Sequence, residues 1–233
     1  WKNLKVSVGG GMAVTSAVAA LWLQKTGCPI CEGYGLSETS PSASCNPTTS
    51  TQFTGTIGVP LPSTFMKLLD DEGIEVTELG QPGEIAIKGP QVMAGYWQRP
   101  DETARCMTPD AYFKSGDIGI CDARGFFKIV DRKKDMILVS GFNVYPNDVE
   151  ETVSLCPGVM ECAAVGVPDE KTGEAVKLVI VKKDPALTES DVREFCRANM
   201  TGYKQPKVIE FKTELPKTAV GKILRRELRD LPR

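Results

Sequence analysis

Apolar residues first gather near the start of the chain. Val6 and Val8 alternate with Lys5 and Ser7 as in a short strand, which runs into Gly9-Gly10-Gly11. Residues 12–24 hold enough Ala, Leu and Met to predict a helix, and Gly27 supplies its stop. Residues 30–34 predict another short strand that leads into a polar turn, a way to present backbone amides and side chains at a ligand edge. Residues 41–56 are rich in Pro, Ser, Thr, Asn and Gln and read as a connecting loop. Short strands follow at 65–69 and 84–88, separated by Asp70-Asp71-Glu72-Gly73 and Gln81-Pro82-Gly83. Asp122-Ala123-Arg124-Gly125 likewise parts a strand at 118–121 from one at 126–130.

The pattern changes around residues 130–134, where an apolar strand gives way to charge. Beyond it, 146–155 predicts a helix, and 159–167 and 175–182 predict strands. Thr188 is placed to cap the next helix, with Asp191 at the reciprocal capping-box position, and Val192, Phe195 and Cys196 can share its buried face. The expected architecture is α/β and α+β, ending in a small α+β domain of about 100 residues. No internal repeat is visible.

Composition narrows the functional classes. With 233 residues and 41% hydrophobic content the chain can bury a sizeable core. Lys and Arg number 28 against 30 Asp and Glu, which excludes a globally basic nucleic-acid-binding protein while leaving room for local anion sites. Apolar stretches are too short or too interrupted for an ordinary transmembrane helix, and the first residues lack a secretory pattern. The expected location is cytoplasmic, with peripheral association at the inner membrane left open. Eight Cys in a chain of this length make reduced thiols the default. Cys28-Pro29-Ile30-Cys31, without His or a second pair at zinc spacing, reads as structural.

Several short motifs carry candidate chemistry. Gly9-Gly10-Gly11 permits close backbone approach beside a nucleotide, yet serves equally as a strand-to-helix turn, and it is neither a dinucleotide fingerprint nor a phosphate loop. In Glu32-Gly33-Tyr34-Gly35-Leu36-Ser37-Glu38-Thr39, Tyr34 can stack on a base, Ser37 can donate to phosphate and Glu38 can ligate Mg²⁺; a polar turn with a packed tyrosine is the plainer alternative. Asp117, in Ser115-Gly116-Asp117 beside a permissive turn, can accept from two ribose hydroxyls or simply cap that turn. Arg132 to Lys134, Lys222 and the arginines 225, 226 and 229 each have a surface explanation, and the last three read as surface or interdomain electrostatics.

Taken in order, the motifs are more specific than any one of them. The glycines at 9–11, Tyr34-Gly35-Leu36-Ser37-Glu38, Gly83-Glu84-Ile85-Ala86-Ile87-Lys88-Gly89-Pro90 and Gly95-Tyr96-Trp97 come first. They are followed by Ser115-Gly116-Asp117, Asp131-Arg132-Lys133-Lys134-Asp135, Ser140-Gly141-Phe142-Asn143-Val144-Tyr145-Pro146 and Gly221-Lys222-Ile223-Leu224-Arg225-Arg226. This succession resembles the adenylate-forming acyl-CoA synthetase family, in particular its bacterial long-chain fatty-acid-CoA ligases, over nearly the whole chain.

The resemblance implies ATP-dependent activation of a fatty acid through acyl-adenylate, then transfer to CoA. Residues 1–130 would be the C-terminal portion of a large nucleotide- and acyl-binding domain, 131–134 a hinge region and 135–233 a small mobile domain. Tyr34 would stack on adenine, Ser37 contact phosphate, Glu38 support Mg²⁺, and Asp117 and Arg132 bind ribose. Gly10 and Gly11 would flank the nucleotide, and Gly141 would lie in the 140–146 run beside the CoA path. Lys134 would be the hinge and Lys222 the catalytic lysine of adenylation. Ser37 stands where threonine is frequent, and Lys114-Ser115 where histidine and threonine are. The Ser/Thr/Gly-rich phosphate loop ending in Pro-Lys-Gly does not occur in this sequence and is expected to precede it, so the chain alone is expected to be inactive. A related ligase delivering acyl groups to a carrier protein, or a non-catalytic nucleotide-binding fragment, are the alternatives.

Overall fold

A computed structural model describes residues 1–218 and 221–229. The chain divides into two compact units, Trp1–Val130 and Asp131–Arg233.

The first unit begins with β1 (Ser7–Gly9), α1 (Ser16–Thr26) and β2 (Ile30–Gly35), a right-sized βαβ step in which β1 and β2 pair in parallel with Gly9 opposite Glu32. The helix starts later than residue 12 because Thr15 caps it, its side chain accepting from the Val18 amide at 3.3 Å. Gly27 ends it in the left-handed conformation, its amide bonded to the Leu23 carbonyl at 2.8 Å. β3 (Ser42–Cys45) and β4 (Val59–Pro60) complete a sheet in the order β1-β2-β3-β4. The expected loop at 41–56 is therefore corrected: its first part is a strand of small residues, with Ala43 and Ser44 fully buried against β2.

A second sheet holds β5 (Phe65–Leu69), β6 (Gly83–Lys88), β7 (Phe113–Cys121) and β8 (Phe127–Arg132) in sequence order, with α2 (Pro100–Cys106) between β6 and β7. Strand β7 starts well before residue 118, so Asp117 sits inside a strand and not in the turn expected of it. Tyr34, Ala43, Leu68, Ile85, Ile87 and Phe127 share one apolar cluster, which ties the two sheets of this unit together.

In the second unit, β9 (Ile137–Val139), β10 (Phe142–Val144), β11 (Val159–Asp169), β12 (Gly173–Lys182) and β13 (Val208–Lys212) form one sheet, β13 lying parallel beside β12. Helices α3 (Pro146–Ser154) and α4 (Glu189–Asn199) cover one face through Val149, Val153, Val192 and Cys196. Thr188 and Asp191 form the reciprocal box at the start of α4. Ala163, Val165, Val179 and Val181 point the other way and meet Leu215, Ile223 and Leu228. Burial on both faces explains why β11 and β12 read as near-continuous apolar runs. Among the described residues no helix is long and apolar enough to cross a membrane.

Candidate nucleotide-binding edge

Because β1 and β2 are parallel, the chain leaves both on the same side of the sheet, where α/β proteins commonly place ligands. Gly10 and Gly11 leave β1. A Cβ on Gly10 would stand 3.1 Å from the Gly33 carbonyl oxygen, and Gly11 has φ +78°, so neighbouring strand and turn geometry both ask for glycine. On β2, a Cβ at Gly35 would collide with the Pro41 carbonyl group. The next residues form a 3-10 turn, Ser37–Thr39. Thr39 is fully buried and locks that turn: its Oγ1 donates to the Pro41 carbonyl at 2.6 Å and accepts from the Leu36 amide at 2.9 Å. Ser37 is left exposed and Glu38 half-buried.

Asp117 reaches the same edge from β7. The β6–β7 register shifts between Glu84 and Ala86, opposite a bulge at Ser115-Gly116. Gly116 takes φ +74° there and its amide donates to Glu84 Oε1 at 3.1 Å, while Ser115 Oγ donates to the Ile85 carbonyl at 2.7 Å. The bulge re-aims Asp117, whose Oδ2 accepts from the Tyr34 hydroxyl at 2.6 Å. Both residues are buried, Tyr34 to 8% and Asp117 to 7% exposure. So little of the Tyr34 ring is open that its firmest role is to orient the carboxylate.

Glu38 is held from the other side. Tyr96 donates its hydroxyl to Glu38 Oε1 at 2.8 Å, and the Met93 amide donates to the Glu38 carbonyl at 2.8 Å. The Tyr96 amide in turn donates to Thr103 Oγ1 at 2.9 Å. The Glu38 bond, then burial, pushes the Tyr96 phenol up to about 12. Glu32, inside β2, is a structural carboxylate: its Oε2 accepts from the Gly55 amide and the Thr54 hydroxyl, each at 3.1 Å. Burial raises its pKa against those bonds.

Thus Gly10, Gly11, Tyr34, Ser37, Glu38 and Asp117 come together within the first unit. The other predicted site residues belong to the second. Arg132 ends β8, half-buried, and Lys134 is exposed in a 3-10 turn, Lys133–Asp135. Ser140 and Gly141, with φ +51° and +84°, form the two-residue turn of the β9–β10 hairpin, the geometry of a type I′ turn. Lys222 is exposed on a short hairpin bridged at Lys217 and Ile223, where the Thr218 amide donates to the Lys222 carbonyl at 2.8 Å.

Sequence reasoning gave no role to Tyr96, although Gly95-Tyr96-Trp97 was among the ordered motifs, nor to Thr39 and Glu84 as supports. It also read Arg225 and Arg229 as surface or interdomain charges. That reading is corrected: the Arg225 side chain is only 15% exposed and pairs within its own unit with Glu150, Nη2 to Oε2 at 2.7 Å.

Comparison with known proteins gives a consistent assignment. Residues 2–97 match the model of the AMP-binding enzyme family, and residues 148–222 match that of the AMP-binding enzyme C-terminal domain. Over 230 residues the chain is 56% identical to a long-chain-fatty-acid–CoA ligase of Escherichia coli, covering 99% of this chain and 41% of the ligase. A long-chain-fatty-acid–CoA ligase of Bacillus subtilis is 43% identical over 227 residues, 97% of this chain and 40% of its own length. The crystal structure of ATP-bound MatB from Rhodopseudomonas palustris superposes with a TM-score of 0.89 at 33% identity, covering 97% of this chain and 45% of MatB. The chain therefore spans less than half the length of these relatives, yet the two family models together take in most of it. By sequence and by fold, this chain belongs to the AMP-binding enzyme family, joining part of its nucleotide-binding core to its small C-terminal domain.

Proposed function

We propose that the protein carrying this chain activates a long-chain fatty acid with ATP and transfers the acyl group to CoA, releasing pyrophosphate and AMP. The observation that carries the reading is the convergence of Tyr34, Ser37, Glu38 and Asp117 at the edge where β1 and β2 end. The high identity to enzymes named long-chain-fatty-acid–CoA ligases supports the substrate class.

In the first half-reaction the fatty carboxylate attacks the α-phosphorus of ATP and pyrophosphate leaves. Asp117 is a fixed acceptor for the ribose hydroxyls, its carboxylate oriented by the Tyr34 hydroxyl. Arg132 adds directional donors for the ribose, and Ser37 offers an exposed hydroxyl to phosphate. Gly10 and Gly11 let the backbone approach the nucleotide without side-chain obstruction. Lys222 supplies a compact positive centre for the charge shared by carboxylate and phosphate in the transition state. Glu38 would hold Mg²⁺: one carboxylate, with phosphate and water oxygens completing the set, is a fitting donor arrangement for that ion. Mg²⁺ would supply charge neutralisation on the phosphates. In the second half-reaction the CoA thiol attacks the acyl carbonyl and AMP leaves. Rotation at Lys134 would withdraw Lys222 and bring Gly141 and its neighbours to the CoA path.

The test uses the whole protein. Long-chain fatty acid should be required for exchange of pyrophosphate into ATP, and acyl-CoA should be the product when CoA is supplied. Absence of exchange with every fatty acid would overturn the reading; acyl transfer only to a phosphopantetheinylated carrier protein would overturn its second half.

A further inference from the structure

Two arginines that follow Lys222 join its segment to the opposite end of the same unit. Arg225 grips Glu150 with two prongs, Nε to Oε1 at 3.1 Å and Nη2 to Oε2 at 2.7 Å, and Nη2 also donates to Asn147 Oδ1 at 2.8 Å. Its Nη1 lies 3.8 Å from Asp135 Oδ2. Arg229 Nη2 donates to the Lys134 carbonyl at 3.3 Å and to Asp135 Oδ1 at 3.5 Å. The network continues through Asp131, which is 1% exposed: Oδ2 accepts from the Asn147 amide at 2.8 Å and Oδ1 from the Arg132 amide at 2.7 Å. Residues 131–135, the first two turns of α3 and residues 225–229 thereby share one partly buried polar and charged network.

Apolar packing closes the other side of the segment. Leu228, at 1% exposure, and Ile223 pack on Ala163, Val165, Val179 and Val181 of the central strands. Lys222 is thus carried on a turn clamped by packing at its next residue and by ionic bonds three and seven residues on, from Arg225 to Glu150 and from Arg229 to Asp135. Burial raises the Glu150 and Asp131 carboxyls against the bonds that hold them, so the cluster depends on the geometry of its pairing. Burial disfavours the Arg225 cation, and the Glu150 bonds together with Asp131 and Asp135 outweigh it, so the guanidinium is held above its ordinary range. A planar fork holds a carboxylate in one orientation, which a lysine ammonium cannot do.

We propose that Arg225 and Arg229 are positioning residues for Lys222, making the Lys222 turn and the Lys134–Asp135 turn one mechanical piece. A change of backbone angles at Lys134 is then delivered to Lys222 without slack. This inference rests on the reading that Lys222 serves adenylation and Lys134 the rotation between half-reactions.

The experiment compares Arg225→Met, Arg225→Lys and Arg229→Met with the wild type in the whole protein. It measures fatty-acid-dependent pyrophosphate exchange, thioester formation from supplied acyl-adenylate and CoA, and amide hydrogen exchange across the second unit. Exchange of pyrophosphate should fall about 10- to 100-fold in both Arg225 variants, the scale of a misplaced catalytic group. Thioester formation should stay within about twofold, because Lys222 is withdrawn in that step. Amides of Thr218, Gly221 and Lys222 should exchange faster while β11 and β12 stay protected. Equal loss of both half-reactions, together with lost protection throughout the unit, would assign the arginines to folding alone and overturn the proposal. So would unchanged pyrophosphate exchange in all three variants. If Arg225→Met fails to fold, Arg229→Met carries the same half-reaction comparison. A wild-type protein without fatty-acid-dependent exchange would instead defeat the proposed function, and the hydrogen-exchange comparison would still decide whether the arginines anchor the turn.

Discussion

The Tyr34 hydroxyl donates to Asp117 Oδ2 at 2.6 Å across 83 positions of sequence, joining the end of β2 to a bulged β7. A buried carboxylate that loses a donor bears a desolvation cost, so the bond has consequences for both stability and site geometry. Tyr34→Phe keeps the ring in its apolar cluster and removes only the hydroxyl. It should lower stability by about 1–3 kcal/mol, measured by urea unfolding. The KM for ATP should rise with little change in the KM for fatty acid, because the altered residue orients the proposed ribose acceptor.

Gly35 makes a sharper prediction about the turn that presents Ser37 and Glu38. Its absent side chain is the space occupied by the Pro41 carbonyl, which is itself the acceptor for buried Thr39. Gly35→Ala cannot be accommodated by rotating a flexible side chain, since the obstacle is backbone. The substitution should cost about 1–3 kcal/mol or more through overpacking and should displace the Ser37–Thr39 turn. Thermal unfolding would report the first effect, and a weaker affinity for nucleotide the second.

Tyr96 links pH to the Glu38 side of the edge. Its phenol is raised from 10.0 to about 12, chiefly by its bond to Glu38. A raised phenol stabilises the fold while protonated: that contribution is full below the unfolded value of 10.0 and is lost as pH rises through about 12. The tyrosinate absorbance of the wild type at pH 11 should therefore exclude Tyr96. Glu38→Gln removes the ionised acceptor, so at that pH one further tyrosine should ionise. Subtraction of a Tyr96→Phe titration identifies it; identical wild-type and Glu38→Gln curves would show that the bond does not govern the phenol.

These relationships mark what could be read from sequence and what could not. β11 and β12 were legible because both faces are buried, which leaves long apolar runs without a competing pattern. The Thr188–Asp191 box and the Gly27 cap were legible because capping is local chemistry. β3 was not, because Ser42-Ala43-Ser44-Cys45 carries no hydrophobic alternation and becomes a strand by pairing with β2. Asp117 was selected as a candidate by its motif, whereas its placement depends on a register shift against Glu84 that no single segment encodes. Arg225 shows the same limit for charge: helical spacing suggested a surface, but its partner Glu150 lies 75 residues earlier.

Lys222 offers the clearest separation of the two half-reactions. It sits on an exposed turn whose backbone is fixed by Thr218 and whose neighbour Ile223 is packed against the central strands, so truncating the lysine should leave the fold intact. Lys222→Ala should shift the melting temperature little, as expected for a substitution at an exposed side chain. Loss of a preorganised charge at the reacting phosphate should reduce fatty-acid-dependent pyrophosphate exchange about 10²- to 10³-fold. Thioester formation from acyl-adenylate supplied with CoA bypasses that charge and should proceed near the wild-type rate. Normal pyrophosphate exchange in the variant would remove Lys222 from the mechanism. Parallel loss of both steps would mean that the lysine acts after adenylation as well, and that rotation at Lys134 does not withdraw it.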